Sequence, residues 1–336
     1  MGLVVSGLTK RYGEKTVVDH LSFEISHPGV YALLGTNGAG KTTTLRMMLG
    51  ILAKDEGEVL WNGKPFSVDR CSVGYLAEER GLYPKYGLMD QLLYFASLRG
   101  VTRQEARRRI KILAEKLEVE EYLYPDQDRS GKKTTGKTAR DDRETTGKAA
   151  RGERRGKAGK PKLADQLSKG NQQKIQLMAA LLPDPDLLIL DEPLSGLDPV
   201  NTDLFKGMIR EEIQKGKYLI MSSHQMATVE EFCTDLTILH HARPVLQGNL
   251  NEIKKSYGRV NLKLKTEQSV DYYLGRAGVM VLSEKEFEYQ IKVTGEEQAN
   301  RLLRMLVEDG VPVVTFELRE PSLHEIFVEK VGHEHE

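Results

Sequence analysis

The chain has 336 residues, more than a single hydrophobic core usually organises, so two domains or one domain with additions are expected. Lys plus Arg (49) balance Asp plus Glu (49), so net charge argues for no polyanionic partner and any basic patch must be local. Cys71 and Cys233 are too few for a disulfide framework and suit a reducing cytoplasm; no run of about 18 apolar residues is present and the start, MGLVVSGLTKRYGEK, lacks a signal-peptide core, so a chain that neither spans nor crosses a membrane is expected.

Residues 3–33 alternate short apolar stretches with turns (LVVSGLTKRYG, KTVVDHLSFEIS, GVYALL), the pattern of strands. VYALL runs directly into GTNGAGKT, Gly35–Thr42, a match to the phosphate-binding pattern G-x-x-x-x-G-K-[ST]. The following TTLRMMLGIL carries Leu45, Met48, Leu49 and Leu52 at helical spacing. A strand pair is expected at EGEVLWNGKPF, turning at Asn62-Gly63. Between Leu88 and Leu123 the pattern becomes helical, with Leu92, Phe95, Ala96 and Leu98 on one helix and Ile110, Leu113 and Leu117 on the next; ordinary core packing accounts for both stripes.

Residues 126–162 contain no Val, Ile, Leu, Met, Phe, Tyr, Trp or Cys. Such a segment cannot bury enough apolar area to offset its chain entropy, and disorder is expected. It holds 13 Lys or Arg against 6 Asp or Glu, a local charge of +7, and TTGKTAR at 134–140 recurs as TTGKAAR at 145–151. It also holds a second match to the phosphate-loop pattern, GKKTTGKT at 131–138. A phosphate loop needs a buried strand to deliver it and a helix starting at its end, so that backbone N–H groups and the positive helix end converge on the anion. Gly35 has both neighbours, whereas the second match is preceded by DQDRS and followed by ARDDRETTG. The first loop is therefore the nucleotide-binding one.

Order resumes with LADQLSKGNQQKIQLMAALL, a helix behind a polar turn. DPDLLILDEP and KYLIMSSH follow as short apolar runs typical of buried parallel strands. After about residue 245, strand RVNLKLK, a helix near 267–277, two strands within VMVLSEKEFEYQIKV, helix EEQANRLLRMLVEDG and strand VPVVTFELRE give a β-α-β-β-α-β order. That order suggests a small ferredoxin-like α+β domain. The closing helix SLHEIFVEKV opens with a capping box of Ser322 and Glu325.

At the first loop the chemistry assigns roles. Lys41 is placed to reach the β- and γ-phosphates of ATP, Thr42 to complete a Mg²⁺ shell, and Gly35, Gly38 and Gly40 to let the backbone wrap phosphate oxygens, with Asn37 and Thr43 completing the loop. The second acidic group that Mg²⁺ wants is supplied by LLILDE: Asp191 for the metal, Glu192 to polarise the attacking water. Taken alone, these two acids would equally suit a turn or a helix start.

With these motifs in this order, the chain resembles an ABC transporter ATP-binding subunit over residues 1 to about 245, apart from the polar segment. The resemblance implies an α/β P-loop NTPase core (1–245) with an antiparallel β subdomain and a helical subdomain (about 78–180), followed by the α+β domain at 246–336. It makes LSKGNQQK the signature motif, in which Ser168 and Gly170 contact the γ-phosphate of ATP held by the opposite subunit. It makes Ser195–Asp198 the loop joining the two sites across a dimer, His224 the switch histidine on the γ-phosphate, and Tyr12 the aromatic stacked on adenine, the alternative for Tyr12 being a loop aromatic that covers the core. The wording YLAEERGLYP, LSKGNQQK and EPSLHEIF is similar to the sodium-extrusion and multidrug-exporter branch.

Four departures stand out. Thr36 replaces the usual Pro at a position expected to face solvent, and Lys169 and Asn171 replace the Gly and Gln of the common signature. Glu78 occupies the place of the glutamine that senses Mg²⁺ and faces the membrane partner, and 37 residues, 126–162, intervene before the signature. Loop closure grows only logarithmically with length, so that insertion costs roughly 1–2 kcal/mol. The implied function is an ATPase engine, a homodimer or heterodimer on the inner face of the membrane that powers a separate transmembrane permease, in the direction of export. The alternative is a soluble ABC-type ATPase that uses the +7 segment on nucleic acid or ribosomes; such relatives usually carry two cores or a long coiled coil, and this chain has neither.

Overall fold

The structure, a computed structural model, describes residues 2–68, 71–79, 81–124 and 162–332. The segment expected to be disordered lies outside the described residues except for Lys162, and so does the second phosphate-loop match at 131–138.

The N-terminal stretch begins with β1 (Leu3–Tyr12) and β2 (Lys15–Ile25), an antiparallel pair whose inward residues include Leu3, Val5, Leu8, Leu21 and Phe23. Next come β3 (Gly29–Gly35), buried along its whole length, and α1 (Lys41–Met48). β4 (Glu56–Trp61) and β5 (Lys64–Pro65) form the expected hairpin, with Asn62 and Gly63 both at positive φ in the turn. The middle stretch contains β6 (Val73–Leu76), α2 (Leu88–Leu98), α3 (Arg103–Lys116), α4 (Glu120–Leu123), α5 (Lys169–Leu181), β7 (Leu187–Asp191) and α6 (Pro199–Gln214). The last stretch contains β8 (Tyr218–Ser223), α7 (Met226–Val229), β9 (Asp235–His240), β10 (Arg243–Asn249), α8 (Leu250–Tyr257), β11 (Asn261–Thr266), α9 (Asp271–Ala277), β12 (Met280–Lys285), β13 (Glu288–Lys292), α10 (Glu296–Glu308), β14 (Val313–Arg319) and α11 (Leu323–Gly332).

These elements form two compact units, one from residues 1–70 with 218–336 and the other from 71–217. In the first, β3 runs parallel between β8 and β9, and β10 closes the edge antiparallel to β9. Its three strands of nearly continuous Val, Leu, Ile and Met show why they lie inside: both faces are covered, so no polar alternation is needed. A separate antiparallel sheet, β2-β1-β4-β5, belongs to the same unit. So does the C-terminal sheet, ordered β12-β13-β11-β14 and antiparallel throughout, the strand arrangement of a ferredoxin-like fold. Its one apolar face packs Leu262, Leu264, Tyr289 and Ile291 against Leu274, Leu302 and Leu306 of α9 and α10.

In the second unit β6 and β7 pair in parallel, and Gly74 of β6 sits where a Cβ would stand 2.3 Å from the Ala180 carbonyl of α5. Leu92 and Ala96 of α2 and Ile110 and Leu117 around α3 are fully buried, as their spacing predicts. Leu98 is not: it ends α2 at 63% exposure and lines a groove instead of the core.

Candidate functional site

The first unit carries the phosphate loop. β3 ends at Gly35 and α1 begins at Lys41, so the loop joins a buried strand to a helix N-terminus that holds no acidic residue in its first turn. The Lys41 ammonium folds back over the loop and donates to the carbonyls of Gly35 (2.8 Å) and Thr36 (3.2 Å). Ala39 N–H donates to the Thr36 carbonyl at 3.2 Å, which tightens the turn, and the Thr44 hydroxyl donates to the Gly40 carbonyl. The backbone requires glycine at two points. Gly35 (φ 150) would place a Cβ 2.4 Å from the Leu239 carbonyl oxygen, and Gly40 (φ 105) would place one 2.4 Å from that of Val17. Gly38 (φ 81) has open space beside it, and Thr36 and Asn37 face solvent. Thr42 and Thr43 are half-buried on the first turn of α1.

β8 delivers His224 to the same end of this sheet, since Leu34 pairs with Ser223 in the parallel register. His224 is exposed, behind buried Ser222 and Ser223. Tyr12 closes β1 with its ring 54% exposed and the Lys10 ammonium 5.4 Å from the ring centroid. It therefore covers no core.

The second unit carries the acids and the signature residues. β7 is entirely buried; Asp191 at its end is 0% exposed and Glu192 after it 6%. Glu192 adopts φ 49, a left-handed conformation uncommon for a residue with a Cβ, in a turn closed by Ser195 N–H donating to its carbonyl at 3.1 Å. Ser168 is the N-cap of α5, its hydroxyl accepting from Asn171 N–H at 3.3 Å, and a Cβ on Gly170 would meet the Asn201 amide at 3.1 Å. Asp198 caps α6; the Asn201 backbone N–H holds its carboxyl below the usual carboxylate range. Glu78 is exposed beyond β6 and lines a cavity of about 490 Å³ together with Lys169, Gln173, Glu192 and Ser195.

The structure thus groups Tyr12, Gly35–Thr43 and His224 in one unit, and Glu78, Ser168, Gly170, Asp191, Glu192 and Asp198 in the other. Two contacts escaped the sequence reading. Gln173 donates through Nε2 to the Pro193 carbonyl at 2.7 Å, directly behind Glu192. The Lys169 ammonium lies 2.8 Å from where a Cβ of Gly196 would stand, so the signature departure touches the Ser195–Asp198 loop. The doubled Gln of LSKGNQQK was the only available signal for the first, and nothing in the sequence announced the second.

Comparison with known proteins places these features. A family model described as ABC transporter matches residues 18–195, more than half of the chain, and one described as ATP-binding protein DrrA1-3-like, C-terminal domain, matches 248–331. The chain is 38% identical over 331 residues to the uncharacterized ABC transporter ATP-binding protein YhaQ of Bacillus subtilis, covering 98% of both. It is 32% identical over 243 residues to the Nod factor export ATP-binding protein I of Paraburkholderia xenovorans, covering 71% of this chain and 68% of that one. A solved ATP binding subunit of an ABC transporter aligns with a TM-score of 0.61 at 26% identity, covering 76% of this chain and 93% of the other. With the phosphate loop and the β7 acids both inside the matched region, the chain belongs to the ATP-binding proteins of ABC transporters and is an ATPase.

Proposed function

We propose that two copies of this subunit, or one copy and a related subunit, close around two Mg-ATP molecules at the inner face of the cell membrane and hydrolyse them to drive export through a separate transmembrane permease. The observation that carries the reading is the folded-back Lys41 above the Gly35 and Thr36 carbonyls: an ammonium already held at the mouth of a loop that only glycine can build. On arrival of nucleotide, Lys41 exchanges carbonyls for phosphate oxygens, and the loop N–H groups and the α1 terminus hold the same anion. Tyr12 offers an uncovered ring for the adenine. The Thr42 hydroxyl and Asp191 carboxylate are hard oxygen donors and suit Mg²⁺, which when bound shields the phosphate oxygens. Glu192 polarises the attacking water, His224 donates to the γ-phosphate, and Ser168, Gly170 and Asp198 serve the partner's nucleotide.

Export is supported by the likeness to the Nod factor export ATP-binding protein I. Among the described residues no helix is long and apolar enough to cross a membrane, so the pathway is assigned to the permease. Tyr83, Tyr86, Tyr94 and Leu98 leave aromatic and apolar surface in solvent between 83 and 98, which supports docking of the permease there. Domain limits of 1–245 and 246–336 belong to the same reading. The test is ATP hydrolysis by two lysine variants. Lys41→Ala is expected to lose at least about 100-fold in rate, whereas Lys137→Ala, in the other GKT match, retains it; the reverse result overturns the choice of loop.

A further inference from the structure

The amide of Gln173 is bonded at one end only. It lies in the second turn of α5, 8% exposed, and its Nε2 donates to the Pro193 carbonyl at 2.7 Å. That bond fixes which way the amide points, because a flip would set oxygen against oxygen. Oε1 must then face the other way, and among the described residues this buried oxygen has no hydrogen-bond partner. A buried acceptor left so is unfavourable until something donates to it. Neighbouring Gln172 bonds the Leu167 carbonyl from the same helix and leaves no such orphan, so the unmet acceptor is particular to position 173.

Gln173 and Glu192 line the same cavity of about 490 Å³, with Glu78, Lys169 and Ser195 on its other walls. A water needs roughly 10–15 Å³ of such space and two or more polar partners. The carbonyl gripped by Nε2 belongs to the residue after Glu192, whose φ of 49 puts the carboxylate on a strained turn. One side chain therefore holds the turn and carries a buried, unmet acceptor in the wall of the cavity that the carboxylate borders.

We propose that Gln173 is a second catalytic contact for the attacking water: Oε1 accepts one of its hydrogens while Glu192 accepts the other, so that a lone pair of the water oxygen is aimed at the γ-phosphorus. In the step, that oxygen bonds to phosphorus as the bond from phosphorus to the β,γ-bridging oxygen breaks. The electron pair leaves on ADP, one water proton passes to the Glu192 carboxylate, and the hydrogen bonded to Gln173 stays on the phosphate formed. Gln173 itself gains and loses no proton. The inference rests on the reading of Glu192 as the group that activates water.

Three full-length variants test it by steady-state hydrolysis across pH, with binding of a non-hydrolysable ATP analogue measured alongside. Gln173→Met removes donor and acceptor, and its kcat is expected to fall about 10- to 100-fold with analogue affinity within threefold of the parent. Gln173→Glu keeps an acceptor but loses the donor. It is expected to recover at least tenfold over Gln173→Met. Parental kcat in Gln173→Met or no recovery in Gln173→Glu overturns the proposal; where Gln173→Met yields no soluble protein, Gln173→Leu takes its place with the same outcomes. Glu192→Gln separates the two ideas: full turnover there removes the underlying reading, whereas a dead Glu192→Gln beside parental Gln173 variants removes the role of Gln173 only.

Discussion

Gly40 is a fixed position of the phosphate-loop pattern and Gly38 a free one, and the structure gives that difference a physical cause. Gly40 holds φ 105 and has the Val17 carbonyl where a Cβ would go, whereas Gly38 holds φ 81 with nothing near. Gly40→Ala must therefore both strain the backbone and push β2 away from α1, while Gly38→Ala meets strain alone. We expect Gly40→Ala to cost about 3 kcal/mol or more and Gly38→Ala about 1–2 kcal/mol, a ranking that chemical denaturation of the two variants measures. An inverted ranking would mean that the contact with β2 does not fix the loop. The placement of Lys41 at a helix start and of Asp191 and Glu192 at a strand end was legible in the sequence, because an apolar run leads into each. Gln173 was not, because its meaning lies in the carbonyl it reaches at Pro193, 20 positions along the chain. Spacing within one helix cannot express that contact.

At the scale of elements, strands of continuous apolar residues and the β-α-β-β-α-β order could be read because burial on both faces, or on one, leaves a periodic mark. Boundaries followed less well. The helix expected near 267–277 begins only at Asp271, after Ser269 and Thr266 turn the chain by local hydrogen bonds. Leu98 belongs to a helical stripe, yet the helix ends there and the side chain stands in a groove. That exposure yields a prediction: Leu98→Asp is expected to abolish copurification with the permease while ATPase activity of the isolated subunit stays within twofold. Loss of both would point to misfolding of α2 instead. α11 offers a second. Ser322 N–H donates to Glu325 at 2.6 Å and Glu325 N–H to the Ser322 hydroxyl at 3.3 Å, so the capping box read from the sequence is made in full. Burial raises the Glu325 pKa, but the Ser322 bonds and Arg319 outweigh it and hold the carboxyl below the ordinary value. A depressed folded pKa contributes stability that is complete above the unfolded value near 4.3 and disappears as pH falls through the folded one. Ser322→Ala is expected to lower stability by about 1 kcal/mol at pH 7, with the difference from the parent shrinking below about pH 4. A difference independent of pH would show that the carboxylate is not what the serine holds.

At the scale of the whole molecule, the proposed pairing of two subunits gives a role to exposed polar groups outside the phosphate loop. Ser168 and Asp198 are helix caps bonded to Asn171 and Asn201 of their own helices. Each remains exposed, with lone pairs and, for Ser168, a hydroxyl hydrogen to spare. A nucleotide held on one subunit and completed by the caps of another gives both a use, and it links closure of the pair to ATP. If Glu192 is the group that activates water, Glu192→Gln leaves the phosphate loop, Tyr12 and the caps intact and blocks only the step that reopens the pair. That variant, mixed with Mg-ATP, is expected to shift from monomer to dimer in analytical ultracentrifugation, with hydrolysis reduced roughly 100-fold or more. The parent protein, which consumes its ATP, shows the shift only transiently, and ADP produces none. Adding Ser168→Ala to Glu192→Gln removes the contact proposed across the pair, together with the α5 cap to Asn171 N–H. It should weaken the ATP-dependent dimer by about tenfold, the worth of one charge-assisted hydrogen bond, while leaving affinity of the monomer for ATP unchanged. A dimer equally tight with and without Ser168, or one that forms without nucleotide, would separate assembly from the ATP site and leave closure without a cause in these residues.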